Sequence, residues 1–113
     1  MKSVLIVDDE ESLRDVFSMS LQARGYAVTT AVDGVEALHI YRHSEAGFDF
    51  VLSDNMMPRK TGVPLLTEIR KMNPNQKMAL MSGDPPKLPV EIADVPILRK
   101  PFAQRDLIEL IEK

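Results

Sequence analysis

A few polar residues of this chain could do chemistry, and each follows a short apolar run. Asp8 and Asp9 come after Val4-Leu5-Ile6-Val7, and Asp54 after Phe50-Val51-Leu52-Ser53. Ser82 closes the run that starts at Lys77, and Lys100 comes after Ile97-Leu98-Arg99. Three carboxylates brought together repel one another and raise each other's pKa unless a cation sits among them. With no His or Cys nearby, that cation would be a hard, oxygen-seeking ion such as Mg²⁺ rather than zinc. A lysine and a hydroxyl beside it complete a pocket for a tetrahedral anion. Phosphoryl transfer asks for little more, because positioning and charge neutralisation supply most of its catalysis. Singly, each residue has a bland reading: Asp8-Asp9 as a helix cap, Asp54-Asn55 and Ser82-Gly83 as turns, Lys100-Pro101 as a strand end. His39 and His43 stand at i, i+4 without a third ligand and read as a solvated helix face. The joint pattern carries the weight.

The elements that must position these residues alternate between apolar runs and amphipathic stretches, the pattern of a parallel sheet wrapped in helices. Residues 4–7 are rich in β-branched side chains and do not alternate, as in a central strand buried on both faces. A helix follows the acidic cluster Asp8 to Glu11, with Leu13, Val16, Phe17 and Leu21 inward and Gly25 as its stop. Ala27 to Ala31 is a second strand. Asp33 and Glu36 are spaced as a capping box for a helix that carries Leu38 and Tyr41 inward and ends near Gly47. The third strand, 50–53, runs into Asp54, and a loop through Pro58 leads to a helix from about Thr61. That helix buries Leu65, Leu66, Ile69 and Met72, with Pro64 tolerated in its first turn. Residues 77–81 form a fourth strand. Pro85, Pro86, Pro89 and Pro96 then leave room for at most a short helix around 90–93. Residues 97–99 are a brief fifth strand, and a last helix turns Leu107, Leu110 and Ile111 inward. In a doubly wound sheet, ligands sit beyond the carboxyl ends of the strands where strand order reverses. Asp8, Asp9, Asp54, Ser82 and Lys100 therefore meet in one crevice.

The 113 residues fit one domain, residues 1–113, and 44% hydrophobic content supplies a core without disulfides. A net charge of -3 lacks the basic face expected of a direct nucleic-acid binder. The absence of cysteine is compatible with the cytosol. Asp8 breaks the first apolar run, so no signal peptide is read there, and no apolar stretch approaches the ~20 residues that span a bilayer. A cytoplasmic location is expected. The seven methionines read mostly as core filler, with Met78 and Met81 on a strand.

Together, Asp8-Asp9-Glu10, Asp54-Asn55-Met56-Met57-Pro58 with Gly62, Ser82-Gly83 and Lys100-Pro101-Phe102 resemble a response-regulator receiver domain of two-component signalling over nearly the whole chain. The resemblance implies an α/β, flavodoxin-like fold: a doubly wound five-stranded parallel sheet of order 2-1-3-4-5, here with a short or irregular fourth helix. It implies that Asp54 is the nucleophile, taking a phosphoryl group from phosphohistidine on a sensor histidine kinase or phosphotransfer protein. Asp9, Asp54 and the Met56 carbonyl would ligate Mg²⁺ or Mn²⁺, with Asp8 acting through a bound water. Lys100 and Ser82 would contact phosphoryl oxygens, and Lys100-Pro101 is a candidate cis bond. Partners would be a downstream target or an output domain, with phosphorylation-dependent homodimerisation as an option.

The chain departs from the family pattern in two places. Ile97 stands where an aromatic residue usually serves as a relay, and the gap from Ser82 to Lys100 is short. As for its boundaries, either a stand-alone receiver or a piece of a longer regulator is expected, since no second domain is read up to Lys113. Two other functions compete: a metal-dependent hydrolase working through an aspartyl phosphate, and a receiver-like module that only binds partners. The first usually carries Asp-x-Asp on one loop, whereas here the aspartates are adjacent. The second is disfavoured because each catalytic position is filled.

Overall fold

The structure, a computed structural model, describes residues 2–57 and 59–112; the Pro58 and Lys113 singled out above lie outside them. Five strands alternate with helices: β1 (Ser3–Val7), α1 (Glu11–Gln22), β2 (Ala27–Ala31), α2 (Gly34–His43), β3 (Phe50–Asp54), α3 (Gly62–Met72), β4 (Met78–Ser82), β5 (Ile97–Arg99) and α4 (Gln104–Glu112). A single 3-10 turn, Val90–Ile92, replaces the helix that would precede β5. All strand pairs are parallel, in the order β2-β1-β3-β4-β5, which is the doubly wound flavodoxin-like sheet expected from the sequence.

The three central strands are buried on both faces, and their period of two sorts the side chains into two cores. Leu5, Val7, Val51, Met78 and Leu80 face one cluster, closed by Ala37 and Leu38 of α2 and by Leu65, Leu66 and Ile69 of α3. Val4, Ile6, Phe50, Leu52, Ala79 and Met81 face the other, closed by Phe17 and Leu21 of α1 and by Leu107, Ile108 and Ile111 of α4. Full burial of each such aliphatic side chain contributes roughly 1.5–3 kcal/mol. The irregular segment before β5 joins the first cluster through Ile92 and Val95. It is also tied to α3 by Arg70, whose Nη1 lies 2.7 Å from Asp94 Oδ1.

Several local expectations are corrected. Val16 and Met72 are exposed, because each helix buries a stripe narrower than the one read from spacing. In α4 Leu110 is only half-buried, and Ile108 takes its place in the core. α2 stops at His43, with Ser44 already extended, and Gly47 lies in the loop beyond, where its N–H donates to Ser44 Oγ. Tyr41 is only half-buried, and its hydroxyl donates to Oε1 of the buried Gln76 at 2.6 Å. Among the described residues Met19, Met56 and Met72 are exposed while Met57, Met78 and Met81 are buried, so the reading of the methionines as core filler holds for half of them. β4 is shifted by one residue and takes in Ser82. Among the expectations met, α1 ends with Gly25 at φ 90°. There the Tyr26 N–H reaches Leu21 O and the Gly25 N–H reaches Gln22 O, a Schellman cap. Asp33 caps α2, and Glu36 reaches back to the Val32 N–H.

The loop after β3 is anchored by a glycine. The Gly62 N–H donates to Asn55 O at 3.0 Å, closing the loop on its own start. A Cβ at Gly62 would lie 2.6 Å from both Asp54 O and Leu80 Cδ1. Gly62→Ala should therefore push on the backbone of Asp54 and cost about 1–3 kcal/mol, the usual penalty of overpacking. A lowered urea midpoint checks this.

Candidate functional site

The parallel register sets the site. Val7 pairs with Ser53, so the residues that follow β1 stand beside Asp54 at the end of β3. Asp54 pairs with Met81, and Ser82 pairs with Arg99, which places Ser82 and Lys100 on the same rim. Backbone bonds continue the order past the strands: Asp8 N–H to Ala31 O at 3.1 Å, Asn55 N–H to Met81 O at 3.0 Å and Lys100 N–H to Ser82 O at 2.9 Å. Asp9, Asp54, Met56, Ser82 and Lys100 line one open cavity of about 740 Å³, with Glu10, Asn55 and the segment Gly83 to Pro86 completing its walls.

One carboxylate oxygen each of Asp8, Asp9 and Asp54 lies within 4.8 Å of the other two. Asp8 is fully buried. Its Oδ1 accepts the Glu10 N–H at 3.0 Å, while its Oδ2 has no hydrogen-bond partner. An orphaned, buried carboxylate oxygen facing two other carboxylates, with no His or Cys in the set, fits a hard divalent cation such as Mg²⁺. Burial, chiefly, and then the charge of Asp54 against the opposing Glu10 N–H push the Asp8 carboxyl up to about 6.

Lys100 supplies the opposing charge. Its Nζ lies 2.9 Å from Asp54 Oδ1 and 4.0 Å from Asp8 Oδ2. Burial works against charging this ammonium, but the hydrogen bond and charge of Asp54, with Asp8 and Glu10 behind, hold it above its ordinary value. The following turn is fixed by a cis Lys100-Pro101 peptide and by Phe102, which stacks on Phe17 of α1 at 5.9 Å between centroids. Ser82 is buried, and its hydroxyl donates to Asp84 O at 2.8 Å while accepting the Asp84 N–H at 3.1 Å. Met56 stands at the rim, 72% exposed as a residue.

The sequence reading missed two residues. Arg14, one turn into α1, donates to Asp8 O at 2.7 Å and so braces the first acidic loop. Arg59 reaches Asp33, which had been read as a helix cap alone. Neither arginine, Arg14 on α1 and Arg59 in the loop after β3, stands at a spacing that marks its partner, so neither contact is legible in the sequence. His39 and His43 remain exposed and apart from the site, their rings 4.3 Å from each other.

The family model of the response regulator receiver domain matches residues 4–112. The chain belongs to the receiver family. Among curated relatives, this receiver is 38% identical to the sensor kinase CckA of Brucella abortus, over 98% of the chain but only 13% of CckA. It is 31% identical to the response regulator receiver protein CpdR of the same organism, over 100% of the chain and 96% of CpdR. The solved structure of the response regulator TrrA from Thermotoga maritima, a complex with Mg²⁺ and BeF, superposes with a TM-score of 0.88 at 30% identity, covering 99% and 97% of the two chains. Receivers are two-component signalling switches rather than classical enzymes, and they bind Mg²⁺ in an acidic pocket such as this one. Among the described residues no helix is long and apolar enough to cross a membrane.

Asp8 gives the metal-free receiver a pH signature. Its folded pKa, about 6, lies above the ordinary 3.8, so the folded state holds the proton more tightly than the unfolded chain. Stability then falls as pH rises from about 4 to 6 and stays lower above that window. Asp33 and Asp94, held below the ordinary value by Arg59 and Arg70, lose their contribution only on the acid side of 3.8. Asp8→Asn should raise the urea midpoint at pH 7 without metal and flatten the slope between pH 4 and 6. Urea titrations across that range check both effects.

Proposed function

We propose that this receiver is a phosphorylation switch acting in the cytoplasm, and that Asp54 accepts a phosphoryl group from a phosphohistidine of a sensor histidine kinase or phosphotransfer protein. The observation that carries the reading is the Lys100 ammonium at 2.9 Å from Asp54 Oδ1, inside a cluster of three carboxylates.

Asp54 Oδ attacks phosphorus; the new O–P bond forms as the P–N bond breaks, and the histidine nitrogen leaves with the electron pair and is protonated from water. Mg²⁺ or Mn²⁺, held by Asp9, Asp54 and the Met56 carbonyl with Asp8 acting through a bound water, would neutralise charge on the phosphoryl oxygens. Lys100 gives up part of its contact with Asp54 to neutralise a phosphoryl oxygen. Ser82 exchanges the Asp84 carbonyl for another, which lets the Gly83 to Pro86 segment move. The new dianion makes these contacts in only one arrangement of the loops, and that shift in population is the signal.

Ile97 is half-buried against the core cluster of Ile92 and Val95, so transmission past β5 depends on packing there rather than on the swing of an aromatic ring. The signal is read by a downstream target or an attached output domain, with dimerisation of the phosphorylated form as one route and no direct contact to nucleic acid.

Intact mass after incubation with acetyl phosphate and Mg²⁺ should show one added phosphoryl group. Asp54→Asn should abolish it while leaving the urea midpoint near that of the wild type. Full labelling of that variant would overturn the assignment of Asp54. In Lys100→Ala, Mg²⁺ affinity should change little, while the amide shifts that accompany phosphorylation should shrink. Matching titrations in both assays would make the lysine merely structural.

A further inference from the structure

The loop between β3 and α3 is pinned from outside as well as from within. Arg59 has φ 66°, the only positive value at a non-glycine residue among the described residues. An arginine is disfavoured in that region and stays there only when its surroundings hold it. Its guanidinium makes two bonds to Asp33, Nε to Oδ2 at 2.6 Å and Nη2 to Oδ1 at 3.1 Å. Asp33 is buried and fixed in turn, because its Oδ1 also accepts the Glu36 N–H at 2.9 Å at the start of α2. Beside this fork the Gly34 N–H donates to Lys60 O at 3.0 Å, and a Cβ at Gly34 would lie 2.7 Å from Lys60 Cβ. The two loops therefore touch backbone to backbone.

This contact ties the turn after β2 to the loop after β3. On one side, Asp33 follows Ala31, whose carbonyl holds the Asp8 N–H. On the other, Arg59 lies in the loop that starts at Asp54 and carries Met56, and Gly62 fastens that loop back to Asn55. Asp8 and Asp9 leave β1 while Asp54 and Met56 leave β3, and the crevice between them is open. The pairing of Val7 with Ser53 sets the separation of Asp8 from Asp54, and the Asp33–Arg59 fork holds the rest of the loop after β3, which carries Met56, against the turn after β2.

We infer that Asp33 and Arg59 are a positioning pair, which holds the loop carrying Met56 against the turn after β2 so that the Met56 carbonyl stays beside the carboxylates of Asp8, Asp9 and Asp54 and completes the ligand set of a single cation. The inference rests on the metal-assisted reading of Asp54 above. Neither residue touches the reacting atoms. Because Arg59 is largely exposed, the pair adds little to overall stability. Its effect falls on the site, as with other residues that hold metal ligands from behind.

Calorimetric titration with Mg²⁺ and metal-free urea unfolding separate the two roles. Asp33→Asn keeps an oxygen for the Glu36 N–H and removes only the charge that Arg59 holds. This variant and Arg59→Ala should each bind Mg²⁺ about tenfold more weakly, the low end of what such partners contribute. Both should take phosphoryl from acetyl phosphate more slowly and unfold near the wild-type midpoint. Arg59→Lys, with a charge but no fork, should fall between, and the double variant should be no worse than either single one. Wild-type Mg²⁺ affinity in both single variants would overturn the inference. So would losses of affinity and stability in proportion, with no recovery in Arg59→Lys. A wild-type chain that takes up neither Mg²⁺ nor phosphoryl would instead overturn the reading of Asp54, and this one with it.

Discussion

All five strands run the same way, and from that constraint the rest of this molecule follows. A parallel sheet puts the carboxyl end of every strand on one rim, so Asp8, Asp54, Ser82 and Lys100, each the last residue of its strand or the one after it, meet although nearly the whole chain separates the first from the last. The rim then concentrates negative charge. The Lys100 ammonium, 2.9 Å from Asp54 Oδ1 and 4.0 Å from Asp8 Oδ2, offsets part of it, while Asp8 Oδ2 keeps no hydrogen-bond partner. A crevice built this way favours whatever brings positive charge into it, which is the basis of a switch governed by a cation and an anion together.

Stability and function are divided between the two ends of the strands. The two cores, sorted by the alternation of β1, β3 and β4, bury those three strands up to their last residues. Beyond those ends the backbone is held by single bonds, such as Lys100 N–H to Ser82 O, and by side-chain braces, such as Arg14 on Asp8 O and Phe102 on Phe17. The segment between β4 and β5 is secured differently, with Ile92 and Val95 as apolar anchors and Arg70 as a polar one. A short 3-10 turn suffices there because these anchors take over from a helix. The surface that this segment presents is correspondingly this chain's own, with Val90 exposed and Pro85 and Pro86 on the wall of the crevice.

The sequence by itself determined the order of elements, the sheet and the five residues of the rim. Strand periodicity, helical stripes and glycine or proline punctuation are local signals, and a parallel sheet converts local position into shared location without further information. Only the tertiary structure decided which face of each helix is covered. Val16 and Met72 fit the apolar spacing of their helices yet lie outside the strip that the sheet covers. It also decided what the loops do. The fork from Arg59 to Asp33 and the brace from Arg14 to Asp8 O depend on how separate elements are placed, which no spacing along the chain encodes, whereas the turn of the Ser82 hydroxyl toward Asp84 is local.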